Sequence, residues 1–208
     1  MPPPAGDGAG LWEEASAVGG RVRVSGMRVL LVDGFRTGSD IPDAVATTLE
    51  ARGHDLDRLR LVDEGFGRFM SEVERRRYHE VDNLVTPEQQ RSADLLRAAD
   101  ALVVTTALRS GSLEPAVKSW FERVFVPEVS FTFTSSGRVT GALKNIRRIA
   151  MVVESPDDDP RRHGRMSSTK SVVRGVRLSA HRFCRTTYLA LAPDTDVTVA
   201  VDGAFRRW

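Results

Sequence analysis

The segment that decides the fold is MRVLLVD, residues Met27 to Asp33, which is followed by GFRTGSDIPDA up to Ala44. The first part is a continuous apolar run with many branched side chains, a pattern typical of a strand buried on both faces. The second part is a loop of small and polar residues that opens into helical spacing at Val45 and Leu49, and this helix is predicted to end near Gly53, which suits a C-cap. A buried strand that enters a helix through a short loop predicts a β-α-β unit.

The same alternation continues along the chain. Further strands are predicted at DLDRLRLVD, ALVVTT, RRIAMVVES and TTYLALA, with helices between them. Two of these helices begin with capping boxes, in which Ser71 is followed by Glu74 and Thr86 by Gln89. The pattern predicts an α/β fold of three layers, α/β/α, in which a doubly wound, five-stranded parallel sheet carries helices on both faces.

Composition limits the classes of protein to consider. The 208 residues are 41% hydrophobic and 28% charged, which suits one globular domain at 27–208. Residues 1–26 are rich in Pro, Gly and Ala, and we expect a flexible leader or an over-called start whose initiator is Met27. No apolar run is long enough to span a membrane, and a single cysteine, Cys184, excludes a disulfide framework. We expect a cytoplasmic protein.

Charge is balanced overall but unevenly distributed. Thirty basic and 28 acidic residues give a net charge of +2, which does not indicate nucleic-acid binding. The segment Arg161 to Arg185 is rich in Lys and Arg and contains no acidic residue. It could contact phosphates, acidic lipid or an acidic partner, or simply be a solvated helix face. The preceding Asp157 to Asp159 favour a solvated turn over a metal site, because three consecutive carboxylates cannot all face one ion.

Two loops at predicted strand ends are candidate ligand contacts, because ligands of doubly wound sheets bind outside the carboxyl ends of the strands. In the first loop, Arg36, Thr37 and Ser39 precede a helix N-terminus, an arrangement that suits a phosphate monoester or an ordinary capped turn. In the second, the small residues of TTALRSGS (Thr105 to Ser112) leave room for a flat ring against the main chain, or form a loose surface loop. The helix after it has an apolar stripe that predicts core packing.

Four segments together resemble a known family. They are LVDGFRTGSD, FGRFMSEVERRRYHE, AADALVVTTALRSGSLEPAVKSWFERVFVPEVSFTF and LKNIRRIAMVVES. In this order they resemble the flavodoxin-fold NAD(P)H dehydrogenase (quinone) family, the relatives of DT-diaphorase, from about Met27 to Glu154 and more weakly to the end. KSWFERVFVPEVSFTF is the most specific part, and RSGSLEPAVK also resembles the flavin loop of the related NADPH-dependent FMN reductases.

The resemblance implies a flavodoxin-like homodimer that holds FMN or FAD noncovalently. NAD(P)H would reduce the flavin by hydride transfer, and a quinone-like small molecule would reoxidise it. No catalytic side chain is assigned, because the flavin itself carries the hydride. The implied cofactor contacts fall in three loops: Arg36, Thr37 and Ser39 at the flavin phosphate; Ala107, Leu108, Arg109, Ser110, Gly111 and Ser112 along the isoalloxazine ring; and Glu154 and Ser155 beside it.

The chain departs from the family pattern in the same three loops. Val32, Asp33 and Gly34 stand where quinone reductases usually have Ala-His-Pro or Ala-His-Ser, and the usual Pro-x-x-Trp-Phe is replaced by ALRSG. The third loop has no glycines and carries Glu154. These departures leave open an alternative, a dimeric regulatory or interaction subunit that has lost flavin. Histidines 54, 79, 163 and 181 have no metal-ligand spacing, and we expect structural roles for them.

Overall fold

The computed structural model describes residues 26–80, 82–109, 111–155 and 168–208. The strands are β1 (Arg28–Asp33), β2 (Asp55–Arg60), β3 (Ala101–Arg109), β4 (Ser112–Leu113), β5 (Phe131–Phe133), β6 (Val139–Gly141), β7 (Arg148–Glu154) and β8 (Arg185–Leu191). The helices are α1 (Ile41–Ala51), α2 (Glu72–Arg77), α3 (Pro87–Ala98), α4 (Pro115–Val124), α5 (Ser168–Ser179) and α6 (Val197–Phe205).

Five strands form a parallel sheet in the order β2-β1-β3-β7-β8. Chain order reverses at β1, since β2 lies on one side of it and β3, β7 and β8 follow on the other. Short β4 folds back antiparallel onto the end of β3, and β5 and β6 form a separate hairpin. The predicted doubly wound, five-stranded sheet is therefore confirmed.

Helices cover both faces of this sheet. Alternate residues of β1 point to opposite sides, so that Leu30 joins a cluster with Trp120 of α4 whereas Leu31 joins a second cluster with Leu49 of α1. All four positions are occupied by fully buried side chains or nearly so, which explains why β1 reads as a continuous apolar run. The three-layer α/β/α prediction is confirmed.

Local sequence signals set several helix ends. Both predicted capping boxes are present: the Ser71 and Thr86 side chains accept hydrogen bonds from the backbone N–H groups of Glu74 and Gln89. Gly53, predicted as the stop after α1, has φ +83, a conformation that side chains disfavour. These signals are local and were readable without tertiary information.

Other expectations differ from the structure or lie outside it. The third strand does not end at Thr106 but continues to Arg109, and β6 was not predicted. The leader up to residue 25, the acidic run at 157–159 and the beginning of the basic segment lie outside the described residues. Within the described ranges, no helix is long and apolar enough to cross a membrane.

Candidate functional site

The carboxyl ends of β1, β3 and β7 bring the predicted loops to one edge of the sheet. Asp33 at the end of β1 lies beside Thr105 of β3, and Ala107 lies beside Glu154 of β7. Next to the first loop is a cavity of about 300 Å³. Its lining residues come from the loop after β1, the segment after β2 and the first turn of α4: Gly34, Arg36, Val62, Gly67, Glu114, Pro115 and Ala116.

Gly34 sets the close approach of the first loop to α4. Its N–H donates a hydrogen bond of 2.9 Å to the carbonyl of Thr105, which holds the loop against β3. A Cβ atom at this position would lie 2.1 Å from Cγ2 of Val117 and 3.1 Å from the same Thr105 oxygen. Any side chain here would push the loop off the helix and open the wall of the cavity.

The predicted phosphate loop is open to solvent. Arg36, Thr37 and Gly38 are exposed, and Ser39 is partly exposed. The Ser39 hydroxyl accepts a 3.3 Å hydrogen bond from the backbone N–H of Ile41, which leaves its own O–H able to donate. The loop therefore presents hydroxyl and guanidinium donors directly before α1, as the sequence predicted.

The N-termini of α1 and α4 share a feature that three other helices lack. The residues that precede them, Asp40 and Glu114, make no side-chain capping hydrogen bond. In contrast, α2, α3 and α6 are each capped by a side chain, that of Ser71, Thr86 or Asp196. An uncapped helix N-terminus keeps a partial positive charge available for an anion or a polar ring edge, although at α1 the Ile41 N–H is used by the Ser39 hydroxyl and Pro42 has no N–H. The first turn of α4 lines the cavity, and α1 begins five residues after Arg36, which also lines it.

Two carboxylates oppose this positive potential. The Asp33 side chain is 15% exposed, and its burial raises the carboxyl pKa, which a hydrogen bond from the Phe35 N–H and the Arg60 guanidinium at 3.8 Å partly counteract. The Glu114 side chain is 10% exposed and lies 3.4 Å from Nε of Arg109. The cavity therefore combines Arg36 and the uncapped first turn of α4 with the largely buried Glu114, and Asp33 directly precedes its wall at Gly34.

The second predicted loop has a different local structure from the one expected. Ala107 to Arg109 belong to β3, and Ser112 begins β4, so the segment is a tight antiparallel turn rather than an open loop. Gly111 supports this turn with φ +74, and Ser110 lies outside the described residues. Ala107 and Leu108 are both 3% exposed and belong to the clusters on opposite faces of the sheet.

Hydrophobic packing explains why β3 extends beyond its predicted end. Ala-Leu-Arg was interpreted as the start of a small-residue loop, but Leu108 is bulky enough to prolong the buried strand by packing under α4. None of the described residues from Ala107 to Ser112 lines the cavity beside Gly34. Their predicted contact with a flavin ring stays a prediction, and it would be made by backbone and by Arg109, whose side chain is 73% exposed.

The third predicted loop begins at the end of β7. Glu154 is partly exposed, whereas Ser155 is 1% exposed and donates its N–H to the carbonyl of Leu191 at 2.8 Å. That N–H is therefore used by the sheet. Residues 156–167, which continue the loop, lie outside the described part of the chain.

Sequence reasoning missed Glu114. It stands before a proline at the start of α4, directly after the β3-β4 turn, and it lines the cavity. A carboxylate immediately before a helix-starting proline, just beyond a buried strand, was the available signal. Its burial depends on how α4 packs against the first loop, which no local pattern reveals.

Two of the described histidines, His54 and His181, accept backbone hydrogen bonds. His54 Nδ1 accepts a 3.1 Å hydrogen bond from the N–H of Met27, and burial together with nearby Arg148 and Arg52 lowers its pKa. His181 Nδ1 similarly accepts from the N–H of Phe183. Across the described ranges, no group of three or more His, Cys, Asp or Glu could hold a metal ion.

Comparison with known proteins adds a family to this geometry. A family model with the description flavodoxin-like fold matches residues 27–198. The chain belongs to the Flavodoxin_2 family. The match spans all five parallel strands and both open helix ends, and it confirms the resemblance inferred from the sequence. A search of curated protein sequences found no match.

Solved structures with a similar fold have low sequence identity to this chain. An NAD(P)H:quinone oxidoreductase from Methanothermobacter marburgensis superposes with a TM-score of 0.65 at 19% identity, over 88% of this chain and 97% of that one. An azoreductase from Bacillus anthracis gives 0.67 at 13% identity, over 86% and 97%. An FMN-dependent NADH-azoreductase from Bacillus anthracis, in complex with FMN, gives 0.60 at 15% identity, over 85% and 94%. At these identities the likeness establishes the fold.

Proposed function

We propose that the protein is a flavin-dependent NAD(P)H oxidoreductase that holds FMN at the carboxyl edge of the sheet and passes hydride equivalents to a quinone-like acceptor. The observation that carries the proposal is the cavity at the carboxyl edge of the sheet, which is lined by Arg36 of the loop before α1 and by the uncapped first turn of α4. The family match and the FMN-bound azoreductase among the similar structures support it.

The residues of the first loop fit a phosphate monoester. Arg36 supplies a guanidinium, Thr37 and Ser39 supply hydroxyl donors, and the N-terminus of α1 adds its partial charge. The cavity beside this loop is at the lower end of the usual size range for small-molecule sites. When bound, FMN would supply the hydride chemistry between donor and acceptor.

The remaining residues would position the binding groups and adjust the electrostatic potential around the cofactor. Gly34 keeps the first loop against α4, so that the phosphate donors and the first turn of α4 stay at a fixed separation. Arg109, at the mouth of the crevice, pairs with Glu114 and reduces the negative potential that this carboxylate would otherwise place beside an anionic group. Without the tryptophan and phenylalanine of the quinone-reductase pattern, the acceptor would enter over the β3-β4 turn.

We further propose that the protein is a homodimer and that it works in the cytoplasm. FAD in place of FMN, and NADH in place of NADPH, are alternatives within the same function. Each is distinguished by adding the single compound and measuring its retention or its rate of oxidation.

The test is the visible absorption spectrum of the purified protein after incubation with FMN or FAD and desalting. We expect flavin bands that bleach when NADPH or NADH is added under nitrogen and that return when a quinone is added. A protein that retains flavin but is not bleached by either nucleotide would contradict the oxidoreductase and leave flavin binding standing.

A second candidate function is favoured by the two acids of the crevice. Asp33 and Glu114 are largely buried carboxylates close to where a phosphate and a reduced ring would both be negative. A flavin-free interaction subunit would have no need to keep this crevice electropositive. A colourless protein that retains neither FMN nor FAD would favour this function.

A further inference from the structure

A second cavity lies at the opposite edge of the sheet, at the amino ends of β7 and β8. Its volume is about 590 Å³, and the end of α6 closes one side. Four arginines line it, namely Arg148, Arg185, Arg206 and Arg207, together with Thr186, Thr187, Gly203, Ala204 and Trp208. No aspartate or glutamate is among the described residues that line it.

The four positive charges are not neutralised by the described part of the chain. None of them lies within ion-pair distance of a described carboxylate. Arg148 and Arg185 are direct neighbours on adjacent parallel strands, a separation of about 5 Å between their Cα atoms. Burial and the charge of Arg185 together lower the pKa of Arg148. The fold therefore places like charges next to each other, which is electrostatically unfavourable.

Neighbouring groups orient this cluster. The guanidinium of Arg148 lies 5.8 Å from the ring centroid of Trp208. The indole Nε1–H of Trp208 donates a 3.1 Å hydrogen bond to the Thr187 hydroxyl, whose own hydrogen stays available to donate into the cavity. Trp208 thus fixes one guanidinium and one hydroxyl donor on the same wall.

Helix electrostatics explain only part of the cluster. Arg206 and Arg207 follow the C-terminus of α6, where the helix dipole favours cations. Arg148 and Arg185 are the first residues of two parallel strands, and no helix C-terminus is needed to place them there. The helix dipole therefore does not account for the pairing of Arg148 with Arg185.

We propose that this cavity binds a multiply charged phosphate anion. Guanidinium groups match phosphate oxygens in pairs of hydrogen bonds, and several of them around one recess select an anion of charge two or more. The site is separate from the flavin crevice, because the seven residues of β7 place the two edges about 20 Å apart. The proposal does not depend on the proposed oxidoreductase function.

The experiment is calorimetric titration with tripolyphosphate at constant ionic strength, with FMN present in excess so that the first loop does not compete. We expect one molecule bound per chain, and a loss of affinity of about tenfold or more in Arg185→Gln and Arg148→Gln. Arg138→Gln, an exposed arginine of the β5-β6 hairpin, and Arg36→Gln, in the predicted flavin-phosphate loop, should each bind within about twofold of the unchanged protein.

Equal losses in all four variants would mean that tripolyphosphate binds through general charge, and would overturn the proposal. Loss in Arg36→Gln alone would also overturn it, by assigning the anion to the first loop. A second readout does not depend on affinity: the ¹H–¹⁵N signal of the Trp208 indole should shift on titration, and an unmoved signal during saturable binding would place the anion elsewhere. Arg185→Gln changes an exposed residue, so folding of that variant is expected.

Discussion

Two pairs of helix N-termini in this fold differ in whether a side chain caps them. Those of α2 and α3 are closed by their own side chains, through the capping boxes that begin at Ser71 and Thr86. Those of α1 and α4, at the carboxyl edge of the sheet, have no side-chain cap. The closed ends satisfy the backbone within the chain and stabilise the fold, whereas the open ends leave donors for a ligand.

The closed pair is further joined by a buried ion-pair network. Nε of Arg123 lies 2.6 Å from Glu74, and a terminal nitrogen of the same guanidinium lies 3.2 Å from Glu88. Despite burial, hydrogen bonds from Ser71 and Arg123 lower the pKa of Glu74. The network connects α2, α3 and α4.

The largest expected effect breaks that network. Arg123→Met should reduce the free energy of unfolding by about 3–5 kcal/mol, because it leaves two acids, one of them fully buried, without their partner. Urea denaturation measures the loss, and Arg97→Met, which removes an exposed arginine paired with Asp94, should cost at most about 1 kcal/mol. A loss below about 1 kcal/mol in the Arg123 variant would show that the network adds little to the closed region.

The next effect belongs to the open ends. Ser39→Asp places a carboxylate in the predicted phosphate loop and should weaken FMN binding by on the order of 2–3 kcal/mol, through repulsion and a lost hydroxyl donor. Fluorescence quenching of FMN gives the dissociation constants. Ser136→Asp, an exposed serine of the β5-β6 hairpin, is the matched control. Equal affinities of the two variants for FMN would show that this loop does not bind the FMN phosphate.

A direct comparison of a closed with an open end should give a smaller difference. Thr86→Ala removes a cap that accepts from the Gln89 N–H and should cost about 1 kcal/mol in the flavin-free protein. Asp40→Ala removes a residue that makes no capping bond and should cost less than about 0.5 kcal/mol under the same conditions. Thermal unfolding of both variants checks this, and equal losses would mean that α1 is capped in solution.

The smallest effect concerns the pH dependence of Asp33. Burial raises its folded pKa, so its ionisation weakens the fold as pH rises through that value, and the penalty is absent in acid where both states are protonated. Asp33→Asn should therefore stabilise the protein at pH 7 by less than about 1 kcal/mol and keep the Phe35 N–H bond through its amide oxygen. The gain should vanish below about pH 4, and a constant gain across pH would refute the assigned cause.

The sequence predicted what depends on local pattern. Continuous apolar strands, two capping boxes and Gly53 were readable because each reflects short-range backbone or burial requirements. The position of Arg36, Thr37 and Ser39 before a helix was also predicted correctly. What failed depends on contacts between distant segments: the prolonged β3 rests on Leu108 packing under α4, and the buried Glu114 rests on the approach of Gly34 to that helix.

The pairing of Arg148 with Arg185 could not be predicted from the sequence either. They are 37 positions apart, and only the adjacency of β7 and β8 makes them neighbours. Arg185 is the last residue of the basic segment noted in the sequence, and in the structure it begins β8. The structure therefore divides that segment between α5 and the start of β8.

The measurement that tests the central contrast most directly is a ¹H–¹⁵N NMR titration of the protein with FMN. The open ends should respond, with the largest shifts in the backbone amides of residues 36–43 and 114–117, while amides of the closed ends at 71–74 and 86–89 stay within the spread of unrelated residues. Shifts centred on the closed ends, or saturable FMN binding that leaves 36–43 unmoved, would contradict the account.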